Sequence, residues 1–303
     1  GAFYPLLAGP SALYPQMESY VAEVTANHLA NRDVMGLYGN INFGDVPYYD
    51  FGLDPDDLDA STWGSNYYDA GILTTARLFC ESGDARHADI FVPAAWHFME
   101  TACWNPYDPG DWLAGFCPAY GSYHRANDHF EQHYGEGLWY YYYLTGDERA
   151  REIGLRAAVS IVEQQAWGNQ NVNCRTGYQR GSACLEAWKS TRDPVFLQHA
   201  KHLLVDKILA TQDVYGLIGA SYEDGVVPEQ TFMMALYSDA LWKYIQELPA
   251  SDPARPGLVA KLALLADLFD IYARKSPGEE EYWNFWTSVP DNGNPPVPVM
   301  DPG

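Results

Sequence analysis

A short polar turn recurs along this chain, and each copy precedes a stretch with helical spacing. The copies are Ser82-Gly83-Asp84, Thr145-Gly146-Asp147, Thr191-Arg192-Asp193 and Ser251-Asp252-Pro253. In such a turn a left-handed residue can end one helix, and the aspartate can cap the next. Helical hairpins repeated every 45 to 65 residues or so indicate a helical repeat architecture. The sequence therefore predicts an all-α protein of about nine to ten helices with no convincing β-strand.

The connections between the predicted helices alternate between short and long. The long segments lie at about 36–65, 105–128, 168–174 and 213–228. Helices alternate direction in a hairpin array, so the long loops should share one rim and the short turns the other. This pattern predicts an α/α toroid, a complete or partial barrel of helical hairpins, over residues 1–285. Residues 286–303 are expected to form a Pro-rich tail.

The same alternation groups the helices that follow the long loops. They begin near Asn66, Asp128, Arg175 and Pro228, and we expect them to form the inner ring. Their N-terminal ends open toward the long loops and carry partial positive charge. Long loops on a rigid scaffold often hold functional residues. The functional site is therefore expected at the long-loop rim.

Charge and hydropathy exclude several classes of protein. The chain has 303 residues, enough for one large core, and a formal net charge of −22. It has no basic stripe to neutralise phosphates, so no nucleic-acid partner is expected. No apolar run reaches the eighteen or so residues of a membrane span, and no signal sequence is visible. We expect an extracellular or cell-surface protein whose signal was removed, or a piece of a longer chain.

The cysteine and histidine spacings do not indicate a metal or a cofactor. None of the five cysteines forms a CxxC pair, and His129 and His133 have no evident third ligand. No GxSxG, P-loop or GxGxxG motif is present. Candidate disulfides join Cys103 to Cys117 and Cys174 to Cys184, with free buried thiols as the alternative.

The long loops and the helix starts that follow them carry aromatic, amide and charged side chains. Flat rings can stack on the apolar faces of sugars, while amides and carboxylates pair with hydroxyls. A polysaccharide or oligosaccharide is therefore the predicted ligand. The candidate substrate-binding residues are Asn42, Asp45, Tyr48, Tyr49, Trp63, Asn66, Tyr67, Asp69, Asp128 and Tyr178.

Several of these residues have a structural alternative. Asp69 and Asp128 are equally well placed to cap helices. The aromatic run Tyr140–Tyr143 fits inter-helix packing better than a binding platform. The aromatics of the first loop, Trp63 among them, could instead plug the end of the barrel.

One stretch of the chain resembles a known family. NFGDVPYYDFG, followed by WGSNYYDAG and later by HYGEGLWYYYYLTGDERARE, is similar to the C-terminal α/α toroid of the exo-rhamnogalacturonan lyase-like proteins. The resemblance covers about residues 38–190. Full-length members are expected to carry β-sandwich domains before the toroid. The resemblance therefore implies upstream β-sandwich domains as partners of this toroid, and self-association is the alternative.

The resemblance implies β-elimination at a uronic acid. Such a reaction neutralises the substrate carboxylate, removes the C5 proton and protonates the leaving oxygen. The candidates for the first role are Arg125, Arg175 and Arg180. Those for the second are His124, His129 and His133. Those for the third include Tyr49, Tyr123 and Tyr178.

Two other functions fit the same residues. A glycoside hydrolase needs two carboxylates flanking the bond, and Asp45, Asp50, Asp69, Asp128, Glu136 and Glu223 are available. A non-catalytic toroid would serve as a carbohydrate-binding, surface-layer or filament subunit. Its Pro-rich tail would then dock on a neighbouring molecule.

Overall fold

The computed structural model describes a large part of the chain, most of it helical. The described residues are 26, 29–30, 46–47, 63–64, 69–102, 135–165, 172–222, 225–273, 285–286 and 298–299. The chain divides into two compact units, Gly1–Ser160 and Ile161–Gly303. The boundary at residue 285 stays a prediction.

Among the helices whose bounds are described, the first unit contains three and most of a fourth. They are α1 (Thr75–Ser82), α2 (Ala88–His97), α3 (Glu136–Thr145) and α4 (Glu148–Gln165), with π-helical turns at Ala70–Thr74 and Phe98–Ala102 and a 3-10 turn at Ala85–His87. The π turn at Ala70–Thr74 leads directly into α1, and the one at Phe98–Ala102 extends α2.

The second unit contains the remaining helices. They are α5 (Cys174–Thr191), α6 (Pro194–Lys201), α7 (Thr231–Glu247) and α8 (Arg255–Leu268), with continuations at His202–Ile208, Leu209–Thr211 and Phe269–Ala273. Eight α-helices thus occur in the described residues, and the all-α prediction is confirmed.

Short antiparallel strand pairs accompany the helices. They are β1 (Val46–Pro47) with β2 (Trp63–Gly64), β3 (Gly219–Tyr222) with β4 (Gly225–Pro228), and β5 (Phe285–Trp286) with β6 (Pro298–Val299). The β3–β4 pair occupies the fourth long segment, which the sequence predicted to be loop. Val226 and Val227 favour extended structure there, but four-residue strands are too short to stand out by alternation.

The recurring turns have the geometry expected from their sequence. Gly83, Gly146 and Arg192 have φ of 68°, 74° and 59°, so each ends its helix in the left-handed conformation. The preceding hydroxyl accepts a hydrogen bond from the aspartate N–H at 3.1, 3.2 and 3.1 Å respectively. Three turns with one bonding pattern confirm the helical repeat.

Each turn aspartate then caps the helix that follows it. Asp84, Asp147 and Asp193 accept through Oδ1 from the N–H two residues later, each at 3.0 Å. Asp252 likewise accepts from the Ala254 N–H at 2.8 Å, in the turn that precedes α8. Pro194 occupies the first position of α6, where its missing N–H costs no hydrogen bond.

The core of the first unit is built from α1, α2 and α3 together with the π turns. Ile72, Phe91, Phe98 and Leu138 are at most 3% exposed. The aromatic run of α3 contributes Tyr141, which is also buried and meets Phe91 edge-on with ring centroids 6.4 Å apart. Part of that run therefore packs between helices, as the sequence indicated.

The second unit depends on two glycines of α5. A Cβ at Gly181 would lie 3.0 Å from the side chain of Leu204, and a Cβ at Gly177 would collide with Ile208. The Tyr237 hydroxyl of α7 donates to the Leu204 carbonyl at 2.5 Å. Because Gly177 and Gly181 have no side chains, residues 202–208 can pack directly against this face of α5.

The proposed bridge between Cys174 and Cys184 is wrong. Both are buried free thiols in α5. Ten residues along a helix separate two positions by about 15 Å, far beyond the reach of a disulfide. Burial raises the pKa of Cys184 to about 12. Cys103 and Cys117 lie outside the described residues.

We expect Asp147→Ala to lower the free energy of unfolding by about 1 kcal/mol, because the N-terminus of α4 loses its cap. Urea denaturation measures this change. Glu152→Ala, at an exposed position of the same helix, should change stability by less than about 0.5 kcal/mol. Equal effects of the two substitutions would contradict the capping role.

We also expect His199 to make stability depend on pH. Burial, then the charges of Arg180 and His202, lower its pKa to about 4, whereas the unfolded value is about 6.5. The unfolded chain therefore takes up the proton first, and the protein loses stability as pH falls from about 6.5 to about 4. Urea unfolding across this range should show a shallower loss for His199→Gln. An unchanged slope would contradict the assignment.

Candidate functional site

A buried carboxylate links the starts of two helices in the first unit. Asp69, immediately before the π turn that leads into α1, accepts through Oδ2 from the Gly137 N–H at the start of α3, at 2.6 Å. Asp69 is 3% exposed. The first N–H groups of a helix have no partner within it and carry partial positive charge. The bond therefore fixes the two helix starts side by side.

Asp69 adopts a strained backbone to make this contact. Its φ is 59° and its ψ is 26°, a left-handed conformation that few residues other than glycine adopt. Its side chain makes no capping bond to its own helix. Asp69 therefore does act at a helix start, as the sequence allowed, but it binds the start of the neighbouring α3 and not of its own helix. Strained residues of this kind are found preferentially at functional sites.

A second carboxylate lies next to this link. Glu136, the first residue of α3, is 3% exposed and accepts through Oε1 from the Arg77 guanidinium of α1 at 3.2 Å. The guanidinium also lies over the Tyr140 ring, 5.5 Å from its centroid. Two buried carboxylates, one guanidinium and one phenol ring are therefore gathered where α1 and α3 begin.

The second unit repeats the linking contact. Glu229, just before α7, accepts through Oε1 from the Cys174 N–H at the start of α5, at 3.0 Å. Asn173 caps α5, its Oδ1 accepting from the Thr176 N–H at 2.8 Å. Glu229 and Asn173 are both buried. In each unit, then, a buried carboxylate ahead of one helix binds the first turn of another.

The hydrogen bonds from Gly137 to Asp69 and from Cys174 to Glu229 concern the prediction that the long loops share one rim. The helices after the first two long loops begin side by side in the first unit, and those after the last two do so in the second. Within each unit, the starts of the helices that follow the long segments therefore lie together, as alternating helix direction requires. The pairing of β1 with β2 also brings the Pro47 and Trp63 backbones together across the first long loop.

Three predicted site residues lie on α5. Arg175 is half-buried in its first turn. Tyr178 is 6% exposed, with the Lys243 ammonium of α7 6.0 Å from its ring centroid. Arg180 is 4% exposed; its charge adds to the effect of burial that lowers the pKa of His199, and it partly offsets the rise that burial causes in the pKa of Cys184.

The other predicted site residues stay predictions. The side chain of Trp63 and all of Asn42, Asp45, Tyr48, Tyr49, Asn66, Tyr67, Tyr123, His124, Arg125, Asp128, His129 and His133 lie outside the described residues. Of the predicted set, the described part brings Asp69 to the start of α3, and it places Arg175, Tyr178 and Arg180 on one helix.

Sequence reasoning missed Arg77 and undervalued Tyr140. Arg77 lies eight residues after Asp69, about two helical turns, on a helix assigned to the inner ring. That spacing was the available signal for Arg77. Tyr140 was assigned to packing along with its neighbours, although it lies one turn after Glu136 on the same face of α3.

The described residues provide neither a membrane span nor a metal centre. None of their helices is both long and apolar enough to cross a bilayer. They also contain no group of three or more His, Cys, Asp or Glu side chains arranged to hold an ion.

We expect Gly137→Ala to disrupt the link between α1 and α3. A Cβ there would collide with the Asp69 carboxylate and lie 2.8 Å from Ile72 Cβ. The variant should lose about 1–3 kcal/mol of unfolding free energy in urea denaturation. Gly257→Ala is the control, since nothing lies within 4 Å of its new Cβ in α8. That change should stabilise by roughly 0.5–1 kcal/mol, and similar losses from both would contradict the close contact.

Comparison with known proteins shows the fold. No family model and no curated protein matches the chain. The α-1,6-mannanase of Salegentibacter sp. HEL1_6, solved as an inactive variant in complex with α-1,6-mannotetrose, matches 85% of this chain and 72% of its own at 15% identity and a TM-score of 0.52. An unsaturated glucuronyl hydrolase variant, with the saccharide dGlcA-Glc-Rha-Glc, also matches. The match covers 91% of this chain and 89% of the hydrolase chain, at 14% identity and a TM-score of 0.44. With the mannanase as structural neighbour, the predicted α/α-toroid fold is confirmed.

Proposed function

We propose that this chain is a carbohydrate-active enzyme that cleaves a glycosidic bond at the shared start of α1 and α3. The observation that supports this is the pair of buried carboxylates, Asp69 and Glu136, joined through the first turn of one helix. Two carboxyl groups flanking the scissile bond are the usual machinery of glycoside hydrolysis. The sequence offered this reaction as an alternative, and the described residues favour it.

The surroundings of the two carboxylates suggest how the roles divide. The Arg77 guanidinium next to Glu136 favours a charged carboxylate, which suits a base or a nucleophile. Asp69, which accepts from the Gly137 N–H, is the second carboxylate of the pair, and we assign it the delivery of the proton to the leaving oxygen. The Tyr140 ring beside Arg77 adds a flat surface of the kind on which sugars stack.

β-Elimination is the second candidate reaction, and Arg175 favours it. Its guanidinium belongs to the first turn of α5, among helix starts that suit an anionic uronate. The base and acid implied by the family resemblance, His129 or His133 and a tyrosine, remain part of this proposal. For either reaction, we propose an oligosaccharide or polysaccharide as substrate and an extracellular or cell-surface location.

We expect Asp69→Asn and Glu136→Gln each to lower kcat at least about 100-fold, the typical contribution of a general acid or base. Asparagine keeps an oxygen that can accept from the Gly137 N–H, so the fold should hold. The assay follows reducing ends and unsaturated-uronate absorbance with α-1,6-mannan and with a uronate-containing polysaccharide. Melting temperatures are measured on the same samples.

The control is Glu152→Gln, which changes an exposed carboxylate of α4 and should leave kcat unchanged. Reducing ends without absorbance identify hydrolysis, and absorbance identifies elimination. Full activity in both Asp69→Asn and Glu136→Gln would show that these carboxylates are structural. Loss of melting temperature parallel to loss of activity would lead to the same conclusion.

A further inference from the structure

The Arg77 side chain of α1 lies within reach of two carboxylates. Its guanidinium donates to Glu136 Oε1 of α3 at 3.2 Å. Glu81 lies four residues further along α1, on the same face of that helix. Although Glu81 is at the surface, partial desolvation raises the pKa of its carboxyl, and the charge of Arg77 acts in the opposite direction. One guanidinium therefore interacts with a carboxylate on each of two helices.

The two carboxylates compete for this guanidinium on unequal terms. The Glu136 side chain is 4% exposed, so its charge is costly unless a cation lies beside it. Glu81 is exposed and can be hydrated, but it stays close to Arg77 because both belong to α1. The Arg77 side chain is flexible and 31% exposed, so holding it in one position has an entropic cost. A further contact is needed to keep the guanidinium at α3.

The Tyr140 ring is placed to provide that contact. Tyr140 lies one turn after Glu136 on the same face of α3. The guanidinium carbon of Arg77 is 5.5 Å from the ring centroid, within the range of a cation–π attraction. A guanidinium in this position meets the ring and the Glu136 carboxylate together. The neighbouring Tyr143 ring, with its centroid 6.5 Å away, packs beside Tyr140.

We propose that Tyr140 is a positioning residue whose ring holds the Arg77 guanidinium on Glu136 and away from Glu81. This rests on the proposed function, in which Glu136 is the base or nucleophile and must be charged. Tyr140 acts on the reaction only through Arg77. Without the ring, the guanidinium moves toward Glu81, and Glu136 keeps its proton to a higher pH. Asp69, the other carboxyl at this helix start, acts on Glu136 alike in every variant compared.

The test measures the pKa of Glu136 by NMR titration of 13C-labelled glutamate carboxyls, with Glu136→Gln to assign the signal. Tyr140→Leu should raise this pKa by about 0.5–1, because the cation–π contact no longer holds the guanidinium. Arg77→Gln should raise it by about 1 or more, since the whole ion pair is lost. Tyr140→Phe keeps the face of the ring and should titrate like the wild-type protein. A Tyr140→Phe protein that behaves like Tyr140→Leu would contradict the role of the ring.

Replacing Glu81 separates positioning from a general loss of structure. Adding Glu81→Gln to Tyr140→Leu removes the competing carboxylate, so the pKa of Glu136 should return most of the way to its wild-type value. Adding Glu152→Gln instead, at an exposed position of α4, should restore nothing. Melting temperatures show whether Tyr140→Leu folds, and Tyr140→Met, which keeps a long apolar side chain without a ring, replaces it if it does not. An unchanged Glu136 pKa, or no recovery with Glu81→Gln, would overturn the proposal.

Activity on α-1,6-mannan and on a uronate-containing polysaccharide separates this proposal from the proposed enzyme. If wild-type protein cleaves either glycan, the acidic limb of its kcat/KM profile should shift in Tyr140→Leu by as much as the pKa of Glu136. If that pKa changes as expected and wild-type protein cleaves neither glycan, the positioning role holds and the enzymatic function fails. If a glycan is cleaved and Tyr140→Leu moves neither the pKa nor the limb, the function holds and the positioning role fails.

Discussion

The structure depends on hydrogen bonds from the first turns of helices to carboxylates that precede other helices. Asp69 and Gly137 are 68 residues apart, and Glu229 and Cys174 are 55 apart. Each bond satisfies an N–H that the helix cannot satisfy itself, and each places negative charge at the positive end of a helix dipole. Two helices held by such a bond cannot slide along or rotate about their axes without breaking it. The side chains displayed around the helix starts are positioned by this constraint.

The first-unit link explains several otherwise unrelated features. A carboxylate can approach the start of α3 only if residue 137 has no side chain, and it reaches that point only if Asp69 adopts a left-handed backbone. Such a conformation costs on the order of 1–3 kcal/mol, and the surrounding contacts must hold it. The same approach places Glu136 within reach of Arg77 and thereby places Arg77 over Tyr140. The close backbone contact therefore accounts for the chemistry gathered there.

The sequence was most informative where structure is set by neighbouring residues. The turns at Gly83, Gly146 and Arg192 were predicted because a left-handed residue followed by a capping aspartate is a local signal. The Asp69 link was not predicted, since nothing near Asp69 in the chain identifies Gly137 as its donor. The Cys174 to Cys184 bridge failed because spacing alone does not show that both lie on one straight helix. The β3–β4 pair was missed because its strands are short.

The net charge of the protein bears on which glycans the proposed site would suit. The protein carries a net charge of −22, so an anionic glycan must be bound against a repulsive field unless a local basic group offsets it. Arg77, in the first unit, pairs with Glu136 and lies over the Tyr140 ring. Neutral sugar hydroxyls meet no such repulsion. If the proposed cleavage site at Asp69 and Glu136 is correct, it therefore suits a glycan whose residues at that site are largely uncharged.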